Sequence, residues 1–70
     1  MMELPPPTFS LGQMVSVIVN ERNRTPRTGS IREIVWHYKF SKYLYLLKIE
    51  GKAVSKRYFE EDLEPVRTDL

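Results

Sequence analysis

Valine recurs at every second position near the start of this chain, and no other feature constrains its fold as strongly. Residues 13–19 read QMVSVIV, which places Val15, Val17 and Val19 on one face of a β-strand. Residues 29–38, 43–50 and 53–58 also have strand character, with polar or glycine-containing segments between them. The pattern predicts an all-β protein.

The length of the chain limits the size of its core. Seventy residues form one domain, which buries only about 60% of the surface that the unfolded chain exposes. Cysteine is absent, so neither disulfides nor thiolate metal sites can stabilise the fold. Stability must come from the packing of a few large apolar side chains, or from a partner.

Local spacing predicts how the strands bend and connect. Ile31 and Ile34 are three residues apart, which indicates a bulge or bend near Glu33. Residues 43–50 are apolar on both phases at first, as in a central strand that is covered on both faces. The segment 50–52, Glu-Gly-Lys, favours a tight hairpin because glycine accepts the positive φ of primed turns.

The segment RYFEEDLEPV, residues 57–66, is expected to close the fold. Phe59 and Leu63 are four residues apart and would pack on the same side of a single helical turn. The three carboxylates at 60–62 are expected to face water and to favour the N-terminal end of that turn. Pro65 would end the turn and leave a short final strand at a sheet edge, where proline is tolerated.

The two ends of the chain read differently from its middle. Three successive prolines favour an extended conformation, so we assign residues 1–8 to a proline-rich arm, 9–66 to the folded domain and 67–70 to a C-terminal tail. The longest apolar run, 43–47, is far shorter than the roughly 20 residues that cross a bilayer. With no signal-peptide pattern either, we expect a cytoplasmic protein without membrane insertion, which could still lie at the periphery of a membrane complex.

Charge is distributed unevenly along the chain. Residues 20–57 hold ten lysines and arginines against three glutamates, a net +7, whereas 58–70 hold five acids against one arginine, a net −4. The basic stretch is either ordinary solvated surface or a face for an acidic partner. Its polar loop NERNRTPRT carries three arginines, whose guanidinium groups can bind carboxylate or phosphate in bidentate fashion.

Aromatic residues cluster just after this loop, between residues 36 and 45, across the turn that joins two predicted strands. Those that do not belong to the core would anchor a protein partner or stack against bases. Together with the basic residues around them they form the predicted partner-binding set: Arg22, Arg24, Arg27, Trp36, Tyr38, Lys39, Phe40, Lys42 and Tyr43.

Residues suited to catalysis or metal binding show no recognisable arrangement. His37 is the only histidine, and no cysteine or second histidine stands at a metal-ligand spacing from it. No motif places a serine or threonine nucleophile beside this base. We expect no enzyme activity, no cofactor and no metal, and we expect His37 to be a strand residue near the rim of the fold.

The order of these elements, with the phrases LGQMVSV, TGSIREI, YLYLLKIEGK and RYFEEDLEPV, resembles the small SH3-like barrel proteins over residues 9–66. The resemblance implies a five-stranded barrel with one 3-10 turn before the last strand. The first and last phrases are similar to those of small accessory subunits of redox and photosynthetic electron-transfer complexes. TGSIREI is similar to the KOW-like barrels of ribosome and transcription proteins.

Two functions fit these features best, and a third, less favoured, is a small-molecule-binding or metal-binding part of an enzyme. The favoured hypothesis is a non-enzymatic binding module, a small accessory or adaptor subunit that docks onto a protein complex through the aromatic hairpin and the arginine loop. The alternative is a nucleic-acid-binding barrel that uses the same surface. The concentration of positive charge favours the alternative, and the acidic end of the chain, which would repel phosphates, opposes it.

Overall fold

The computed structural model describes residues 3–66, whose regular secondary structure consists of β-strands and one short 3-10 turn. A 3-10 turn, Glu60–Asp62, precedes the last strand. The strands are β1 (Met14–Val17), β2 (Thr28–His37), β3 (Lys42–Ile49), β4 (Lys52–Phe59) and β5 (Leu63–Pro65). The predicted all-β class, five strands and 3-10 turn are confirmed. The predicted tail, 67–70, and the first two residues of the predicted arm lie outside the described residues.

The five strands form one antiparallel sheet in the order β4-β3-β2-β1-β5. The last strand returns beside the first, with Val17 opposite Leu63. The two sheet edges, β4 and β5, are joined only by the three-residue turn, which rises about 2 Å per residue. In a flat sheet those edges would lie roughly 19 Å apart, at about 4.8 Å per strand. The sheet must therefore curl until its edges approach each other.

Two irregularities in the strand pairing provide this curvature. The register between β2 and β3 shifts between Ile31 and Glu33, where the sequence predicted a bulge. The register between β3 and β4 shifts between Leu46 and Lys48. Bulges of this kind bend a strand and increase its local twist. The predicted hairpin is also confirmed, because Glu50 and Gly51 both have positive φ, 51° and 76°, as a type I′ turn requires.

The concave face of the curled sheet holds the core. Each strand contributes at least one buried side chain, and the segment before β1 adds one more; the set is Phe9, Val15, Val17, Ile31, Tyr45, Leu47, Tyr58 and Leu63. Phe9 packs edge-on against Tyr45, with ring centroids 5.3 Å apart. Leu44, on the opposite phase of β3, is also buried. β3 is a central strand, as predicted, but the core covers only its concave face; on the other face Leu46 is half-buried, so the prediction that both faces are covered does not hold there.

The first strand is shorter than the valine pattern predicts. It ends at Val17, and Val19 is exposed. The backbone N–H of Val17 donates to the carbonyl of Arg27, and the next N–H, of Ile18, donates to the carbonyl of Asp62. Because the chain leaves the ladder there to reach the 3-10 turn, the third valine of the pattern does not enter the core.

Asp62 is the most highly bonded side chain of the 3-10 turn. Its carboxylate accepts hydrogen bonds from Asn20 Nδ2 at 3.2 Å, Arg22 Nη2 at 2.6 Å and the Phe59 N–H at 3.0 Å. The residue is only 3% exposed. The prediction that residues 60–62 all face water is therefore wrong for Asp62, although Glu60 and Glu61 are exposed. A carboxylate that meets three donors at once can be buried at little cost.

Phe59 and Leu63 do not share one side of the turn. Leu63 belongs to the core, as predicted, whereas Phe59 is half-buried outside the core cluster and lies opposite Leu44 in the sheet. The prediction for Phe59 assumed the α-helical spacing of 3.6 residues per turn. In a 3-10 turn the repeat is three residues, so side chains four apart point in different directions.

Replacing Asp62 by alanine should cost about 1–3 kcal/mol or more of unfolding free energy. The substitution leaves the part-buried Phe59 N–H and the Asn20 amide without their acceptor. Urea denaturation of the wild type and the variant measures the loss. Glu61→Ala is the matched control: its ion pair with Lys42 is exposed on both sides and should contribute less than about 1 kcal/mol. Equal losses in the two variants would contradict the central role of Asp62.

Gly29 in β2 should not tolerate a side chain. A Cβ atom there would lie 2.6 Å from the carbonyl oxygen of Lys48 and 2.8 Å from Cγ1 of Ile49. Gly29→Ala is expected to destabilise the fold by about 1–3 kcal/mol, as overpacking does. Thermal unfolding measures this, with Ser55→Ala on the exposed surface of β4 as a control that should change stability by less than about 0.5 kcal/mol.

Candidate partner-binding surface

The turn between β2 and β3 presents the most exposed aromatic side chains of residues 3–66. Tyr38 is 87% exposed and Phe40 is 58% exposed, with Lys39 between them also exposed. Ser41 adopts a φ of 50°, and its N–H donates to the carbonyl of Tyr38 at 3.3 Å, which closes the turn. We call residues 38–40 the hairpin tip.

A shallow apolar groove begins beside the hairpin tip, on the convex face of the sheet. It crosses β2, β3 and β4, has a volume of about 330 Å³, and is lined by Glu33, Val35, His37, Leu44, Leu46 and Arg57. These residues are the outward-facing members of their strands: Val35 is paired with Leu44, which is paired in turn with Phe59. We call this feature the outer-face groove.

Aromatic contacts join the hairpin tip to the outer-face groove. The ring of Phe40 stacks on His37 at 4.5 Å and meets Phe59 edge-on at 5.7 Å. His37 is the last residue of β2, as the sequence predicted, and its Nδ1 has no hydrogen-bond partner within residues 3–66. The tip and the groove therefore form one continuous surface of apolar and aromatic side chains.

Trp36 and Tyr43 belong to the predicted site, but their side chains lie on the opposite face of the sheet from the outer-face groove. They are opposite each other across β2 and β3, half-buried, with ring centroids 4.9 Å apart. The Tyr43 hydroxyl donates to the carbonyl of Pro5 at 2.6 Å, so the proline segment lies against this pair. Neither residue is part of the outer-face groove.

Arg22 and Lys42 both contact the turn that closes the fold. Arg22 forms its ion pair with Asp62, and Lys42 Nζ lies 2.9 Å from a carboxylate oxygen of Glu61. The two cations also lie near the ring of Phe59, at 5.2 and 5.3 Å from its centroid. Their charges are therefore balanced within the molecule.

Arg24 and Arg27 lie elsewhere, around a small cavity between the β1–β2 loop and β4. The cavity has a volume of about 140 Å³, and Asn23, Thr25, Lys56 and Tyr58 complete its lining. Neither arginine forms an ion pair with any residue in the range 3–66. The nine predicted residues thus fall into separate groups, and only Tyr38, Lys39 and Phe40 adjoin the outer-face groove.

The sequence analysis did not predict the apolar residues that line the groove, although one feature of the sequence indicated them. Residues 43–50 are apolar on both phases, while the core occupies only one face of the sheet. Leu44 and Leu46 must then lie on the second face. Asn23 and Lys56 could not be found in this way, because a loop and a distant strand bring them together only in the folded protein.

Residues 3–66 contain neither a metal-binding cluster nor a membrane-spanning helix. No group of three or more histidine, cysteine, aspartate or glutamate side chains in this range is arranged to hold a metal ion. The same part of the chain contains no helix long and apolar enough to span a membrane. The absence of enzyme activity and of a cofactor stays a prediction.

Comparison with known proteins identifies the family. The model of DUF6960, a family of unknown function, matches residues 1–64, so the chain belongs to this family. No curated protein and no solved structure matches the chain. Function therefore has to be inferred from the surfaces of the molecule itself.

Proposed function

We propose that this member of DUF6960 is a non-enzymatic binding module, a small accessory or adaptor subunit that docks onto a protein. The contact surface is the hairpin tip together with the outer-face groove. The observation that carries the proposal is the exposure of Tyr38 and Phe40 at the end of an apolar groove with which they are continuous.

Exposed aromatic side chains of this kind add nothing to the core of an isolated small protein. The chain has few large apolar residues for its core, yet it leaves two aromatic rings largely in water. Tyrosine and other large aromatic residues are enriched among the residues that contribute most to protein–protein binding. Contiguous apolar patches that are rimmed by polar residues mark interaction surfaces.

Charge around the groove indicates the chemistry of the partner. Arg57 lines the groove and Lys39 stands at the tip. Glu33, the acid that lines the groove, lies 3.5 Å from a guanidinium nitrogen of Arg32. The expected partner is therefore a protein surface with apolar side chains for the groove and carboxylates at its rim.

Addition of a partner strand to the sheet edge is less favoured as the binding mode. The open edge strand β4 carries Lys52, Lys56 and Arg57. Charged side chains along an edge strand protect it from pairing with other strands. Recognition through side chains on the face of the sheet fits the surface better.

Nucleic acid is the alternative partner, since Tyr38 and Phe40 could also stack on bases. Arg22 and Lys42 are balanced by Asp62 and Glu61, so the region near Phe59 offers less free positive charge than the sequence predicts. The resemblance to accessory subunits also favours a protein. Nucleic acid is therefore an outcome of the test below and not a second proposal.

The test is native purification of the tagged protein from its own cells, with and without nuclease, for the wild type and for Phe40→Ala. We expect a protein partner to be retained after nuclease treatment and to bind the Phe40 variant about 30-fold more weakly by calorimetry, the loss typical of a truncated aromatic anchor. Leu11→Ala is the matched control, because Leu11 is an exposed apolar residue outside the tip and the groove. It should leave the affinity unchanged.

Three outcomes would contradict the proposal. The first is a protein that always purifies alone at its monomer mass. The second is a bound component that is removed by nuclease, which would support the nucleic-acid alternative instead. The third is a partner whose affinity falls equally in the Phe40 and Leu11 variants. Thermal unfolding of both variants shows that each remains folded.

A further inference from the structure

The small cavity beside Arg24 and Arg27 lies apart from the docking surface. It is formed where the β1–β2 loop passes β4, and its lining shares no residue with the outer-face groove. At about 140 Å³ it is smaller than the roughly 300–1,000 Å³ of pockets that enclose whole small-molecule ligands. It has room for a compact group only.

Asn23 is the unusual residue of this cavity. It is only 4% exposed, and neither Oδ1 nor Nδ2 of its side chain has a hydrogen-bond partner within residues 3–66. Its backbone is held firmly: its N–H donates to Asn20 Oδ1 at 2.8 Å, and its carbonyl accepts from the Asn20 N–H at 2.8 Å. A buried amide without partners is rare. Both atoms are closed to solvent as the side chain stands, so a polar occupant of the cavity would pair with them after the side chain turns toward it.

The charges around Asn23 define that occupant. Arg24, Arg27 and Lys56 line the cavity together with the hydroxyl-bearing Thr25, and none of the lining residues is acidic. Lys56 is held in place by a 3.3 Å hydrogen bond from its Nζ to the carbonyl of Arg22. Three cations in one lining without an acid among them repel one another, and a bound anion would relieve that repulsion.

We propose that this cavity binds a phosphate group that keeps one proton, either as inorganic phosphate or as the singly protonated phosphomonoester of a small molecule. Guanidinium groups bind phosphate oxygens through paired charge-assisted hydrogen bonds. Once turned into the cavity, the Asn23 amide would need an acceptor for Nδ2 and a donor for Oδ1, and a phosphate group that keeps one proton offers both. A phosphomonoester keeps that proton only near or below its second pKa of about 6, and sulfate offers acceptors alone. The inference does not depend on the proposed docking function.

The test follows the amide resonances of Asn23, Arg24, Thr25 and Arg27 during titration at constant ionic strength and at a pH of about 6, where a phosphomonoester is partly protonated. Inorganic phosphate and methyl phosphate are the probes, with sulfate, dimethyl phosphate and chloride for comparison. We expect saturable shifts with at least one of the first two probes and weaker binding of the other three anions. The relative affinity of inorganic phosphate and methyl phosphate shows which form the cavity prefers.

Paired variants separate a built site from general electrostatic attraction. Arg24→Gln with Arg27→Gln should weaken phosphate binding about tenfold or more, the effect of losing at least one charge-assisted hydrogen bond. Lys39→Gln with Arg57→Gln removes the same charge outside the cavity and should change affinity less than about twofold. Asn23→Ala should also weaken binding, yet leave the ligand-free protein at least as stable, because the amide it removes has no partner in the protein.

The proposal is overturned by shifts that stay linear with concentration for every anion, or by equal binding of phosphate, sulfate and chloride. Dimethyl phosphate binding as tightly as phosphate would also overturn it, since the cavity would then recognise a diester. Equal losses of phosphate affinity in the two double variants would show that binding depends only on the overall charge of the protein, which would also overturn the proposal. None of these results bears on the partner purification, so the two proposals can fail separately.

Discussion

The carboxylate of Asp62 holds together the parts of the fold that the sheet alone leaves separate. It accepts hydrogen bonds from the β1–β2 loop, through Asn20 and Arg22, and from the end of β4, through the N–H of Phe59. The carbonyl of the same residue accepts from Ile18, just after β1. These bonds fix the three-residue turn that carries the chain from one sheet edge to the other. Without them, the β1–β2 loop and the end of β4 would lose their link to the turn, and β5 would be held beside β1 by strand pairing alone.

This closure also determines what remains on the surface. Arg22 and Lys42 form ion pairs with the acidic turn, so the basic residues of 20–57 do not form one continuous positively charged face. The two remaining surfaces are separated by the alternation of side chains along β4: Arg57 lines the outer-face groove, whereas Lys56 and Tyr58 line the small cavity. One short strand thus contributes to both a candidate protein-docking surface and a candidate phosphate site.

Much of the fold was predictable, while the site was predictable only in part. The hairpin at Gly51 and the bulge before Glu33 depend on local backbone geometry, which neighbouring residues encode. The fate of the nine predicted partner-binding residues depends on pairing across the sheet. Trp36 and Phe40 are close in sequence, yet one lies on the core side of the sheet and the other at the hairpin tip, because β2 ends at His37 and the turn reorients the chain.

The sequence by itself determined the class, the number of strands and the turn types, since these follow from the period-two alternation of apolar residues and from the special conformations of glycine and proline. Only the tertiary structure decided which basic side chains form ion pairs within the protein and which remain free to bind a ligand. Asp62 and Arg22 are forty residues apart in the chain, and Asn23 and Lys56, which line the same cavity, are also far apart in sequence. Electrostatic and packing energies depend on distances in space, and the linear pattern does not contain those distances.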